Sequence, residues 1–110
     1  MHWIHLTSEE QLKQIVINSQ LRPQVIFKHS TRCSISAVAF QRLQRSEQPN
    51  NIDFYFLDLL AYRPLSNKIA ETFKVPHESP QILVIKNGRC IYDESHLAIS
   101  MEDIKMQAAA

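Results

Sequence analysis

Glycine is almost missing from this chain: Gly88 is the only one in 110 residues. Glycine-rich phosphate loops, of the dinucleotide or P-loop kind, need several glycines for close backbone approach, so both are excluded. Only two cysteines occur, Cys33 and Cys90. That is too few for a disulfide-rich secreted scaffold or a four-cysteine zinc site. There is no excess of charge. Lysine plus arginine number 12 and aspartate plus glutamate 11, a net charge of +1. A nucleic-acid binder would show a strong basic bias, so none is expected as a partner. No run approaches the ~18 apolar residues of a membrane helix. The start, MHWIHLTSEEQ, lacks a basic region followed by a long apolar stretch, so no secretory signal is expected. Together these absences point to a soluble, cytoplasmic protein in a reducing compartment.

Enough apolar sequence is present, at 45%, for one core, and the length suits a single domain over residues 1–110. Trp3 to Leu6 reads as a short strand. Thr7 with Glu10 resembles a capping box. Leu12, Ile15, Val16 and Ser19 then recur at helical spacing, which predicts a helix over 8–20. Val25-Ile26-Phe27 is a compact buried strand. A polar break, His29-Ser30-Thr31-Arg32, leads directly to Cys33. From there to about Arg45 the chain carries no glycine or proline and reads as a helix. Residues 52–59 form the next strand. Pro64 suits a first helical turn, followed by an apolar stripe of Leu65, Ile69, Ala70 and Phe73. After the loop 75–80 come a strand at 81–86, the hairpin pair Asn87-Gly88, a return strand at 89–92, and a short helix opening at Ser100 or Met101. The order β-α-β-α-β-α-β-β-α predicts an α/β fold, with a mixed central sheet and helices on both faces.

A lone cysteine opening a helix after a buried strand, a proline just before the next-to-last strand, and an Asn-Gly hairpin resemble the thioredoxin fold across nearly the whole chain. The segment IAETFKVPHESPQILVIKNGR is especially similar to the second half of a thioredoxin. The active-site segment differs. The family's Cys-Gly-Pro-Cys is here Cys33-Ser34-Ile35-Ser36, with Arg32 in place of the preceding tryptophan. Val25-Ile26-Phe27 lacks the buried acid that many thioredoxins carry. With no second cysteine, a local dithiol–disulfide cycle is impossible. FKHSTRCSIS resembles the monothiol bacilliredoxin family, found in bacteria that use bacillithiol.

The resemblance implies a thiol–disulfide oxidoreductase in which Cys33 removes bacillithiol from protein mixed disulfides. Bacillithiol is then a co-substrate, and no resident cofactor is expected. The implied partners are bacillithiolated client proteins and a low-molecular-weight thiol or thiol reductase, acting on a monomer or weak dimer. A helix N-terminus favours a thiolate through its free N–H groups and dipole, and Arg32 adds positive charge. Ser36, one turn on, is expected to donate a hydrogen bond to that thiolate. Pro80 is expected to be cis and accessible beside the sulfur, with the backbone of Ser79 pairing with an extended substrate chain. Thr31 and Arg32 are further substrate contacts. His29 is a candidate for tuning the thiol or orienting a thiol ligand, and Lys28 for contacting a carboxylate of it. His77 and Glu78 are placed to shape substrate access, or are simply solvated. Cys90 reads as structural: opposite Ile85 it lies too far from Cys33 for a disulfide. His2 and His5, three apart on a strand, face opposite ways, so no metal site is expected.

Two alternatives share the fold. One is an iron–sulfur carrier similar to monothiol glutaredoxins, which the lack of Cys-Gly-Phe-Ser and Gly-Gly disfavours. The other is a non-catalytic interaction module using the proline groove.

Overall fold

A computed structural model describes residues 1–110. Five strands form one sheet: β1 (Trp3–His5), β2 (Gln24–His29), β3 (Asp53–Asp58), β4 (Gln81–Lys86) and β5 (Arg89–Ser95). Their spatial order is β1-β3-β2-β4-β5. β1, β3 and β2 run parallel, and β4 and β5 are antiparallel additions. Four helices complete the fold: α1 (Glu9–Asn18), α2 (Ser34–Gln44), α3 (Arg63–Phe73) and α4 (Met101–Ala109). None of them is long and apolar enough to cross a membrane.

The two-residue period of a strand sorts the core into two layers. Ile26, Tyr55, Leu57, Leu83 and Ile85 face α1 and α3, where Leu12, Ile15, Leu65, Ile69 and Phe73 meet them. Val25, Phe27, Phe54, Ile82 and Val84 face the other way, onto Ala39 and Leu43 of α2 and Ile104 and Ala108 of α4. β2 lies between two strands and beneath helices on both faces, so all six of its residues are buried. The mixed sheet and its two helical layers match the expected class.

Element ends differ from expectation where side chains compete. The first helix is capped by Ser8, not Thr7. Ser8 Oγ accepts from the Gln11 N–H at 3.2 Å, and Gln11 Oε1 reaches back to the Thr7 N–H at 2.7 Å. The box is Ser8–Gln11, one residue later than Thr7–Glu10. Ser19 is not part of the helical stripe. It ends α1, and its Oγ and carbonyl accept from the N–H groups of Gly88 and Asn87 at 2.8 and 2.9 Å. That contact ties the helix to the hairpin, whose two turn residues both have positive φ.

The return strand runs on to Ser95 through a bulge. Val84 pairs with Tyr92 and Ile85 with Cys90, leaving Ile91 unpaired. A 3-10 turn follows, over His96–Ala98, with His96 at φ 60°.

Leu83 is fully buried in the sheet centre while Ile17 is more than half exposed. Leu83→Ala is expected to lower stability by about 2–5 kcal/mol. Ile17→Ala is expected to change it by under about 0.5 kcal/mol. Urea unfolding measures both.

Candidate active site

The carboxyl ends of the parallel strands are where open α/β sheets place ligands, and Cys33 lies at that edge. β2 ends at His29, and a turn closes when the Cys33 N–H donates to the Ser30 carbonyl at 3.2 Å. Cys33 is the N-cap of α2, with φ −111° and ψ 120°, and its carbonyl accepts the first helical bond from the Ala37 N–H. The N–H groups of Ser34, Ile35 and Ser36 therefore have no helical carbonyl to bond. Cys33 is half-buried, forms no disulfide, and its side chain makes no capping bond. Thr31, Arg32, Ser34 and Ile35 around it are exposed.

Ser36 departs from expectation. Its hydroxyl does not serve the sulfur. It is fully buried, accepts from the Ser30 N–H at 3.0 Å, and lies 2.7 Å from His29 Nδ1. The His29 ring is buried among Phe27, Phe40 and Phe56, with centroids 5.3–5.8 Å away. Burial pushes its pKa below the ordinary 6.5, against the opposing pull of Asp58 and of a hydrogen bond to Ser36. The Ser36 hydroxyl and His29 Nδ1 share one hydrogen bond, whose donor is set by the tautomer of the ring. His29, Ser30 and Ser36 thus form a closed knot directly beneath the cysteine turn. His29 is a structural partner of Ser36, and its ring is turned into the aromatic layer.

Lys28 is the second correction. A contact with a carboxylate of a thiol ligand requires exposure, and Lys28 is 1% exposed. Alternation puts it on the opposite sheet face from His29, where Nζ meets the Ser66 carbonyl at 3.3 Å and His77 Nδ1 at 3.4 Å. Burial brings its pKa down to about 8.

The Ser79–Pro80 bond is cis. Lys28 pairs with Gln81, so Pro80 stands at the His29 end of β2, the end that leads to Cys33. Pro80 is buried rather than accessible, and Ser79 is the half-exposed member of the pair. Ser79 Oγ itself is buried without a partner. Sequence reasoning missed His96. Its N–H donates to the Pro80 carbonyl at 2.9 Å, and its ring lies 3.5 Å from Glu78. No spacing signal marked it.

Cys90 is opposite Ile85, which pairs with Gln24 at the far end of β2. The two cysteines are therefore separated by most of a strand, roughly 16 Å. Burial pushes the Cys90 thiol up to about 11, and its Sγ sits against the Tyr92 carbonyl. His5 stacks edgewise on Phe56.

With this geometry in place, comparison with known proteins is decisive. The family model described as "Monothiol bacilliredoxin BrxC" matches residues 4–104. The chain belongs to the monothiol bacilliredoxin family. It is also similar to a solved structure described as a proposed oxidoreductase with a thioredoxin fold, at 31% identity and a TM-score of 0.81. That match covers 97% of this chain and 93% of that one. The thioredoxin of Malassezia sympodialis (19% identity, TM-score 0.70, 100% of this chain and 98% of that one) shares the fold. So does that of Fasciola hepatica (16%, 0.70, 94% and 97%). The fold is that of thioredoxin, and the family is one of thiol oxidoreductases.

His29 and His77 both have folded values below the unfolded 6.5. The unfolded chain therefore binds more protons near that pH. Their contribution to stability is complete above about pH 6.5 and is lost as pH falls below it. The urea midpoint is expected to drop between pH 7 and pH 5, and to drop less in His29→Asn, which cannot titrate.

Proposed function

We propose that the chain is a monothiol exchanger that takes bacillithiol from modified proteins in the cytoplasm. The observation that carries this reading is the pairing of a half-exposed Cys33 at a helix start with a sealed, non-thiol residue at position 36. Cys33, as thiolate, attacks the bacillithiol sulfur of a client mixed disulfide. A Cys33–bacillithiol disulfide forms, the client–bacillithiol bond breaks, and the client leaves as a thiolate that takes a proton from water. A thiolate of a second bacillithiol, or of a separate reductase, then attacks the bacillithiol sulfur of the adduct: a new disulfide to bacillithiol forms, the Cys33–bacillithiol bond breaks, and Cys33 leaves as a thiolate. Such exchange favours an attacking thiol that is ionised near ambient pH and a leaving thiol that is no worse.

Exposed Thr31 and Arg32 flank the approach to the sulfur, and the Ser79 backbone is the pairing edge for an extended client chain. The free N–H groups of the first α2 turn favour negative charge on the Cys33 sulfur, carried before attack and regained when Cys33 is the leaving group of the reset step. Ser36 serves by holding the turn and does not donate to the sulfur.

The test mixes the protein with a bacillithiolated client and follows both by mass spectrometry. Cys33→Ala is expected to abolish transfer and Cys90→Ala to leave it intact. The adduct is expected to sit on Cys33 and persist until excess thiol or reductase is added. Transfer surviving Cys33→Ala, or a stable Cys33–Cys90 disulfide, contradicts the mechanism.

A further inference from the structure

Lys28 is buried, pairs with no carboxylate, and is not among the groups that bond the Cys33 turn. A cation in that position is costly, since its only polar contacts are the Ser66 carbonyl and His77 Nδ1. A methionine fits the same space without that cost. Directly across the sheet from Lys28 is Gln81, also 1% exposed. Its Nε2 donates to the Pro76 carbonyl at 3.1 Å, and its Oε1 accepts from the Glu78 N–H at 3.4 Å. Two buried polar side chains, facing one another on neighbouring strands, thus grip three consecutive residues: Pro76, His77 and Glu78. The next two residues are Ser79 and Pro80.

We infer that Lys28 and Gln81 are positioning residues that hold the 76–80 segment so that the Ser79 backbone meets the client chain. This rests on the proposed exchange at Cys33 and assigns a role to a pair that never touches the sulfur. Lys28 reaches the segment through His77, with His77 accepting at Nδ1. The groups facing His77 are Lys28 from β2, Arg63 and Ser66 from α3, and Glu78 beside it in the loop. His77 is exposed overall, yet partial desolvation of its ring, Lys28 and Arg63 lower its pKa, against Glu78. A protonated His77 no longer accepts from Lys28, so the grip is present above the titration of His77 and lost below it.

The test uses Lys28→Met and Gln81→Leu in the full chain, with a bacillithiolated peptide as substrate. Lys28→Met is expected to unfold at higher urea than the wild type. Its KM for the peptide is expected to rise roughly tenfold. Its kcat and the rate of Cys33 alkylation by iodoacetamide are expected to hold. Gln81→Leu is expected to raise KM in the same way. The wild-type KM is expected to rise as pH falls through the titration of His77, and that rise is expected to be absent in Lys28→Met. An unchanged KM in both variants overturns the inference, as does a fall in alkylation equal to the fall in exchange. If the wild type itself transfers no bacillithiol, the proposed function fails. Lys28 and Gln81 are then read from amide hydrogen exchange at His77 and Glu78. Faster exchange in Lys28→Met upholds the grip, and unchanged exchange overturns it.

Discussion

The hydroxyl of Ser36 holds the end of β2 to the start of α2. It accepts from Ser30 at the first residue of the loop and bonds His29 at the last residue of the strand, from a position within the first turn of the helix. Between them is a short, polar stretch closed by one backbone bond, from the Cys33 N–H to the Ser30 carbonyl. With both ends fixed, Ser30-Thr31-Arg32 bulges outward and Cys33 falls on the N-cap. Loss of one buried hydrogen bond that leaves a partner unsatisfied costs about 1–3 kcal/mol. Here two partners, an N–H and a ring nitrogen, depend on one oxygen. In this chain position 36 is a buried serine that holds the turn together.

Strand alternation then divides the labour on either side of the sheet. His29 goes to the α2 face, into a layer of Trp3, Phe27, Phe40 and Phe56, and supports the cysteine turn. Lys28, one residue earlier, goes to the α3 face and contacts the segment before Pro80. β2 therefore supports both halves of the candidate site, the Cys33 turn through His29 and the segment before Pro80 through Lys28. β4 meets it antiparallel, which brings Gln81 opposite Lys28 and sends Cys90 to the other end of the molecule.

Much of this was legible in the sequence. The apolar run at 25–27, the polar break and the uninterrupted helical stretch located Cys33 at a helix start. Asn87-Gly88 located the hairpin, and Cys90 stands opposite Ile85 as counted along it. The cis bond came only from the family resemblance. Other features were hidden for physical reasons. Thr7–Glu10 and Ser8–Gln11 both satisfy the capping pattern, and only three-dimensional geometry chooses between them. Lysine is so rarely buried that Lys28 read as a surface group, although it stands two residues from Ile26 on the inward face. Ser36 reads naturally as a neighbour of Cys33, because helical spacing says nothing of a partner seven residues back in a strand. Asp93, Glu94 and Ser95 at the end of β5 are all polar and carry no apolar signal of a strand, so its length was underestimated.

The claim that the Ser36 knot, and not a donor aimed at the sulfur, makes Cys33 a working nucleophile is tested by one rate. It is the rate at which Cys33 in folded Ser36→Ala takes bacillithiol from a modified client, relative to the wild type. Loosening the turn displaces the sulfur from the helix start, and the account predicts a fall of roughly tenfold or more. A folded Ser36→Ala that accepts bacillithiol at the wild-type rate would contradict it.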